Sequence, residues 1–312
     1  MRAMPDALRH ATLRQLQIFL AAAAHSSFAR AAEELHLTQP AVSMQMAQLA
    51  EVVGSALFER RGRKLALTQA GEVLVPYAER VGQTLREAGD ALDALKGLRH
   101  GKLRIALVAT TRYFAPRLLA QFRQEHPQIE LDVGIAGREG VLAQLENNHV
   151  DLAIMGRPPT HLPVEAEVFA KHPHGVIAPP DHPLAGKKRL APGRIAQEPF
   201  IAREPGSGTR HAMDQYFTEH ALKPPIIQEM PSNESIKQAV MGGMGLAFIS
   251  LHTVNLEHRT GNLVLLDLRG LPVMRNWYVL HRATRSLSPA AVAFKKFMHA
   301  EAPKYMKTLL PK

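Results

Sequence analysis

The stretch that most constrains this chain runs from Phe28 to Ala47, FARAAEELHLTQPAVSMQMA. It reads as two short helices with a tight break between them. Phe28, Ala31, Ala32 and Leu35 give the first helix an apolar face, and His36-Leu37-Thr38 forms the break. The second helix starts with Thr38 or Gln39 as N-cap and places Pro40 in its first turn, where a missing N–H costs nothing. Val42, Met46, Leu49 and Val53 then share one face at helical spacing. The other face carries Gln39, Ser43, Met44, Ala47 and Gln48, short or amide side chains with no large apolar patch to hide. This is the profile of a helix-turn-helix whose second helix enters a DNA major groove. A helical hairpin in any core shares the apolar face, so the neighbouring segments must decide between the two.

Those neighbours point to DNA. Thr12 to Ala24 reads as a helix that packs Leu13, Leu16, Phe19 and Leu20 against the hairpin. A signal peptide would also show basic residues before Ile18-Phe19-Leu20-Ala21-Ala22-Ala23-Ala24. That apolar run is short, Gln15 and Gln17 interrupt what precedes it, and the helical period favours a cytoplasmic amphipathic helix. No apolar run approaches the roughly 18 residues needed to cross a bilayer, so no membrane partner is expected. After the hairpin, two short extended runs flank a tip that carries Arg60, Arg61, Arg63 and Lys64, the pattern of a wing whose cations meet phosphates or the minor groove. Thr68 then caps a helix with Leu74, Tyr77, Val81, Leu85, Ala88, Leu92 and Leu95 in a nearly heptad stripe. A lone helix of about 28 residues, roughly 42 Å long, with one apolar stripe requires a partner and reads as a dimerisation linker.

The net charge of +10 is unevenly placed: residues 1–90 hold 10 Lys+Arg against 9 Asp+Glu, so the DNA-binding segment is not a blanket polycation. The absence of cysteine excludes disulfides, thiolate catalysis and Cys-zinc sites. At Gly97–Gly101 the period changes. Leu103–Val108, Ile129–Ala136 and Val150–Met155 read as strands, and Ala115–Glu125 and Gly140–Asn147 as helices between them. Alternating strand and helix means a parallel sheet with crossover helices. A strand near Val164–Ala170 follows, with helices at Thr209–Ala221 and Ser235–Gly242, a strand at Leu246–Ser250, a strand around Trp277–His281 and a closing helix at Pro289–Met306. Among the 16 histidines, His172, His174 and His182 cluster most closely; without a helical ligand spacing they read as surface or loop residues, and no metal is expected.

The combination SFARAA, LTQPAVS, LFER and LTQAG resembles the LysR-type transcriptional regulators, and the resemblance runs through the linker helix and the α/β region. It implies a multidomain α plus α/β chain: a winged helix-turn-helix over 12–68, a linker helix over 69–96, and an effector-binding domain over 97–312 built like type II periplasmic binding proteins. Subdomain I would comprise 97–170 and 274–312, and subdomain II 171–273. HLTQPAVSMQ, REPGSGTR, SNESIKQAVMGGMGLAFISLHTV and VATTRYFAP are similar to regulators of the Calvin-cycle RuBisCO operon, which implies an activator of such an operon, with other metabolic operons as the alternative. Two positions depart from the family. Met44 stands where a basic residue is frequent and cannot donate to guanine; Ala50 stands where Glu is frequent. The resemblance further implies an inverted-repeat duplex operator, RNA polymerase as a partner and a homo-oligomer that is a dimer of dimers.

Base readout falls to Thr38, Gln39, Pro40, Ser43 and Gln45, with Gln39 able to pair with adenine through two hydrogen bonds. Arg30, Arg60, Arg61 and Arg63 would position the protein on phosphates. The effector site is expected at three helix starts: Thr110-Thr111, the turn Glu204-Pro205-Gly206-Ser207-Gly208-Thr209-Arg210, and Ser232-Asn233-Glu234. Their free N–H groups and hydroxyls suit an anion, and Arg112, Arg157, Arg203 and Arg210 are candidate partners for it. The effector is expected to be a phosphorylated sugar, an organic acid or NADPH, with no resident cofactor. The turn lacks the GK[ST] ending of a nucleotide-hydrolysing loop, no nucleophile–base pair emerges, and the chain is not expected to be an enzyme. A solute-binding protein on the same scaffold would leave the first 95 residues without a use.

Overall fold

The computed structural model describes residues 8–62, 64–95 and 101–311, which form two compact units divided between Leu92 and Asp93. In the first unit, α1 (Leu13–His25) opens with a capping box: Thr12 Oγ1 accepts from the Gln15 N–H at 3.1 Å, and Gln15 Oε1 accepts from the Thr12 N–H at 2.9 Å. Ser27 caps α2 (Phe28–Glu34). Thr38, rather than Gln39, caps α3 (Gln39–Val53), its Oγ1 accepting from the Ala41 N–H. The wing is an antiparallel pair, β1 (Phe58–Arg61) and β2 (Lys64–Leu67), with Arg61 opposite Lys64. Thr68 Oγ1 accepts from the Gly71 N–H as α4 (Gln69–Leu95) begins. Gly71 has to be glycine: a Cβ there would lie 2.3 Å from the Leu57 carbonyl oxygen, so the wing base and the linker helix touch backbone to backbone.

The core of this unit is Ile18, Phe19, Ala22, Ala31, Val42, Met46, Leu49, Leu57, Leu74 and Ala78. It differs from expectation at α1. Leu13 is 48% exposed and Leu16 and Leu20 only partly covered, because Ile18 and Ala22 take the inward positions. Leu13, Leu16 and Leu20 instead line a groove with Ala78, Val81 and Leu85 of α4. Tyr77, Val81, Leu85 and Leu92 of the linker stripe are exposed in the single chain.

The second unit is one nine-stranded sheet. Its first half has β3 (Gly101–Val108) parallel to both β4 (Ile129–Ala136) and β5 (Leu152–Met155), with α5 (Ala115–Glu125) and α6 (Arg138–Glu146) as crossovers. β6 (Val164–Ala178) follows; sequence reading ends it at 170, but it runs 15 residues, through Pro173. Flanking partners hold it there: the pairing with the last strand spans Val164 to His174 and overrides the loop signal of a His-Pro-His tract. The second half holds β7 (Phe200–Arg203), α7 (Gly208–Glu219), β8 (Ile226–Met230), α8 (Asn233–Met241), β9 (Leu246–Ser250), α9 (Asn255–Arg259) and β10 (Val264–Leu265). Here β7 lies parallel to β8 and β9, and β9 is antiparallel to β6. β11 (Val273–Arg282) returns antiparallel along β6 to pair with β5, and α10 (Pro289–Thr308) closes the first half.

Each half has its own core. Leu103, Ile105, Phe114, Phe122, Trp277 and Phe294 anchor the first; Phe200, Tyr216, Phe217 and Phe248 anchor the second. β6 and β11 are the continuous structure joining them.

Candidate functional site

On the first unit, the start and outer face of α3 are open. Thr38, Gln39, Pro40, Met44, Ala47 and Gln48 are exposed, and Ser43 and Gln45 are half-buried at the edge of that face. Arg30 on α2 and Arg60 on the wing are exposed and make no ion pair among the described residues. Arg61 is exposed but donates to Glu59 at 2.7 Å, which tempers its charge. Arg63 lies outside the described residues. Nothing cationic stands on the exposed face of α3, and Met44, 54% exposed, occupies its middle.

On the second unit, strand ends converge on a narrow cavity, partly open to solvent. Crevices at the carboxyl ends of strands are where α/β sheets bind ligands. β3 leads through Thr110 into α5, β4 through Gly137 into α6, β5 into Gly156 and Arg157, and β7 into the Glu204–Ser207 turn. Gly206, at φ +85°, lets that turn close. Ser207 caps α7, its Oγ accepting from the Arg210 N–H at 3.1 Å, so Gly208 and Thr209 open the helix at the cavity wall. β6 and β11 supply the remaining wall: His172, His174, Arg275 and Trp277.

Of the residues expected to bind an effector, Thr110, Arg157, Arg203, Glu204, Ser207, Gly208 and Thr209 line this cavity. Asn233 stands behind them, accepting from Arg203 Nη1 at 2.7 Å and donating to Thr110 Oγ1 at 3.2 Å. It thereby bridges the two halves. Three other expected residues lie outside this lining. Thr111 is buried and donates its hydroxyl to the Val108 carbonyl at 2.8 Å. Arg112 is exposed, away from the wall. Arg210 is tied to Asp214 and Glu229 and is not part of the lining. Arg203, only 4% exposed, lines the cavity but is already neutralised: it donates to both oxygens of Glu204, at 2.6 and 2.7 Å.

The unneutralised charge comes from residues that sequence reading passed over. Arg138 and Arg275 are half-buried and join Arg157 at the wall. Burial first, and then the neighbouring Arg157 and Arg275, push the Arg138 guanidinium below its ordinary range. Burial and Arg157 do the same to Arg275. No carboxylate pairs with Arg138, Arg157 or Arg275 among the described residues. Clustered cations without counter-charge are unfavourable in a partly desolvated site, and an anion relieves them. Arg138 was legible in principle, since it follows a strand and opens a helix as Thr110 does.

The histidines need correction too. His172 and His174 are buried in β6, not on the surface or in a loop. His172 stacks on Trp277 with 3.9 Å between ring centroids. Burial, reinforced by His174, holds His172 well below the usual imidazole range; burial, reinforced by Arg275, takes His174 down to about 3. Both are neutral at any physiological pH.

Two family models divide the chain between them: the bacterial regulatory helix-turn-helix of the lysR family matches residues 13–72, and the LysR substrate binding domain matches 96–303. The chain belongs to the LysR family. This LysR-family protein is therefore a DNA-binding transcriptional regulator with an α/β effector-binding domain. It is 50% identical over 293 residues to a RuBisCO operon transcriptional regulator of Allochromatium vinosum, covering 94% of this chain and 97% of that one. It is 47% identical to the regulator CfxR of Cupriavidus necator, over 95% and 93% of the two chains. Among solved structures, the regulatory domain of Synechocystis CcmR in complex with 2-PG matches with a TM-score of 0.62 and 39% identity, over 64% of this chain and 97% of that one. A full-length OxyR variant of Pseudomonas aeruginosa, at 24% identity and a TM-score of 0.72 over 93% and 94%, shares the fold. No helix among the described residues is long and apolar enough to cross a membrane.

Proposed function

We propose that this LysR-family regulator activates a CO2-fixation (RuBisCO) operon in response to a small anionic metabolite. The observation that carries the effector part is the trio Arg138, Arg157 and Arg275, unneutralised around a cavity that two helix starts also face. A phosphorylated organic acid or sugar phosphate fits this wall, and the CcmR domain bound to 2-PG is a relative whose ligand has that chemistry. The operon assignment rests on the RuBisCO regulators that resemble this chain along nearly its whole length.

In this reading residues 12–68 form the DNA reader, 69–96 the linker and 97–312 the effector domain. The protein acts in the cytoplasm as a dimer of dimers on an inverted-repeat operator, where it contacts RNA polymerase. Thr38, Gln39, Pro40, Ser43 and Gln45 address base edges, while Arg30, Arg60, Arg61 and Arg63 address phosphates. Ligand binding reorients the two halves and changes the spacing of paired DNA readers.

The test is a mobility shift and footprint on the region upstream of a RuBisCO large-subunit gene, with and without phosphorylated acids. A footprint that changes with ligand supports the reading. Binding to an unrelated intergenic region alone moves the protein to another operon. Gln39→Ala should weaken the specific site by about 1–3 kcal/mol and leave random DNA nearly unchanged; equal losses on both would remove Gln39 from base readout.

A further inference from the structure

The polar side chains on the cavity wall are mostly hydrogen-bond donors. Arg138, Arg157 and Arg275 present only N–H groups, and α7 opens with Gly208 and Thr209. Thr110 Oγ1 already accepts from Asn233, so its own proton is left to give. The one carboxylate, Glu204, is occupied on both oxygens by Arg203. A fully ionised anion would satisfy these groups and nothing else.

Two buried atoms on this wall do not fit that pattern. His172 Nδ1 and His174 Nε2 have no hydrogen-bond partner. His172 Nδ1 is walled off: a Cβ on Gly156 would lie 2.9 Å from it, so Gly156 covers it directly. His174 differs. Its Nδ1 lies 3.1 Å from the His172 carbonyl oxygen, which can only accept, so Nδ1 carries the proton. Nε2 is then a bare, buried lone pair, and His174 is one of the residues of the cavity lining. Leaving such an acceptor buried and unmatched is unfavourable.

We infer that the cavity selects anions that also carry a hydroxyl, and that His174 Nε2 is the acceptor that reads it. This rests on the anionic-effector reading above and names its ligand class: a phosphorylated hydroxy acid or a polyol phosphate, not a bare dianion. The arginines set affinity for charge, and His174 discriminates between anions of equal charge. A site that hydrogen-bonds a ligand hydroxyl rejects the analogue lacking it more strongly than an apolar pocket rejects a missing methylene.

The test is calorimetry on the full chain with two matched probe pairs: 3-phosphoglycerate against 3-phosphooxypropanoate, and glycerol 3-phosphate against propyl phosphate. The wild type should prefer the hydroxylated member of at least one pair by about tenfold. His174→Phe keeps a ring against Phe248 and should reduce that preference to near unity while still binding the deoxy probe. His174→Gln, which restores an acceptor, should recover part of it. Equal binding within both pairs by the wild type overturns the inference and leaves the anion cavity standing. A preference that survives in a folded His174→Phe also overturns it. Should neither pair nor inorganic phosphate bind, and Arg275→Ala change nothing, the anionic-effector reading itself falls.

Discussion

Arg275 shows how the site holds energy against the fold. Its guanidinium is pressed into a wall with Arg138 and Arg157, and its proton affinity is lowered by burial and by Arg157. Removing one of three mutually repelling cations should stabilise the ligand-free protein while weakening its response. Arg275→Ala is expected to raise the melting temperature of the free chain and to reduce the thermal shift produced by a phosphorylated acid, both read by calorimetry. A lower melting temperature would mean that Arg275 serves packing first. The histidines give a pH test with a definite sign. His174 is held near 3 and His252 near 4, chiefly by burial, against an unfolded value near 6.5. Below about pH 6.5 the unfolded chain takes protons that the native chain refuses. Stability is thus complete above that pH and falls on acidification toward the native values, by about 1.4 kcal/mol per pH unit for each histidine. The melting temperature should therefore fall between pH 7 and pH 5 in the wild type and fall less in His174→Phe, where His252 still contributes.

Helix α4 carries its argument at the scale of an element. Leu74 and Ala78 face the first unit's core, while Tyr77, Val81, Leu85 and Leu92 remain exposed, Val81 and Leu85 within the groove they line with Leu13, Leu16 and Leu20. The stripe was legible because heptad spacing depends on nothing outside the helix. The involvement of α1 was not, because its leucines have the same period whether they face inward or outward. Leu85→Glu should lower the mass measured by sedimentation and reduce operator binding, with the fold of the monomer intact; an unchanged mass would place dimerisation elsewhere. The same contrast holds for the site. Ser207 and Asn233 announce themselves as cap and helix start, so local grammar finds them. Arg203 and Arg210 are consumed by carboxylates: Arg203 by the adjacent Glu204, and Arg210 by Asp214 one helical turn on and by Glu229, which only tertiary structure brings near. His174 and Arg275 lie in strands whose pairing joins residues about a hundred positions apart, and nothing local places them on one wall. Pro173 even argued against a strand there.

At the scale of the molecule, side-chain hydrogen bonds tie the two halves of the effector unit together beside the shared strands. Thr110, Asn233 and Arg203 form one bridge, and Tyr113 donates to Glu234 at 3.2 Å in another. Asn233→Ala removes the first and leaves Arg203 one hydrogen bond short. The expected result is faster hydrogen exchange in β6 and β11 and faster release of bound anion in stopped-flow, with stability lower by about 1–3 kcal/mol. Unchanged exchange would show that the bridge does not hold the halves in register.

What lies beneath those bridges is stiffer. β6 and β11 are hydrogen-bonded to each other from Val164 opposite Arg282 to His174 opposite Val273, interrupted by one shift of register between Trp277 and Tyr278. A two-stranded ribbon of this kind cannot swing as a loose hinge does; it twists. Under the proposed effector reading, a ligand held at His172, His174, Arg275 and Trp277, which sit on the ribbon itself, would act on the protein as a torque. A torsion bar of this sort returns to rest when unloaded, so the signal should be graded in small angles and quickly reset, without unfolding any segment of the sheet.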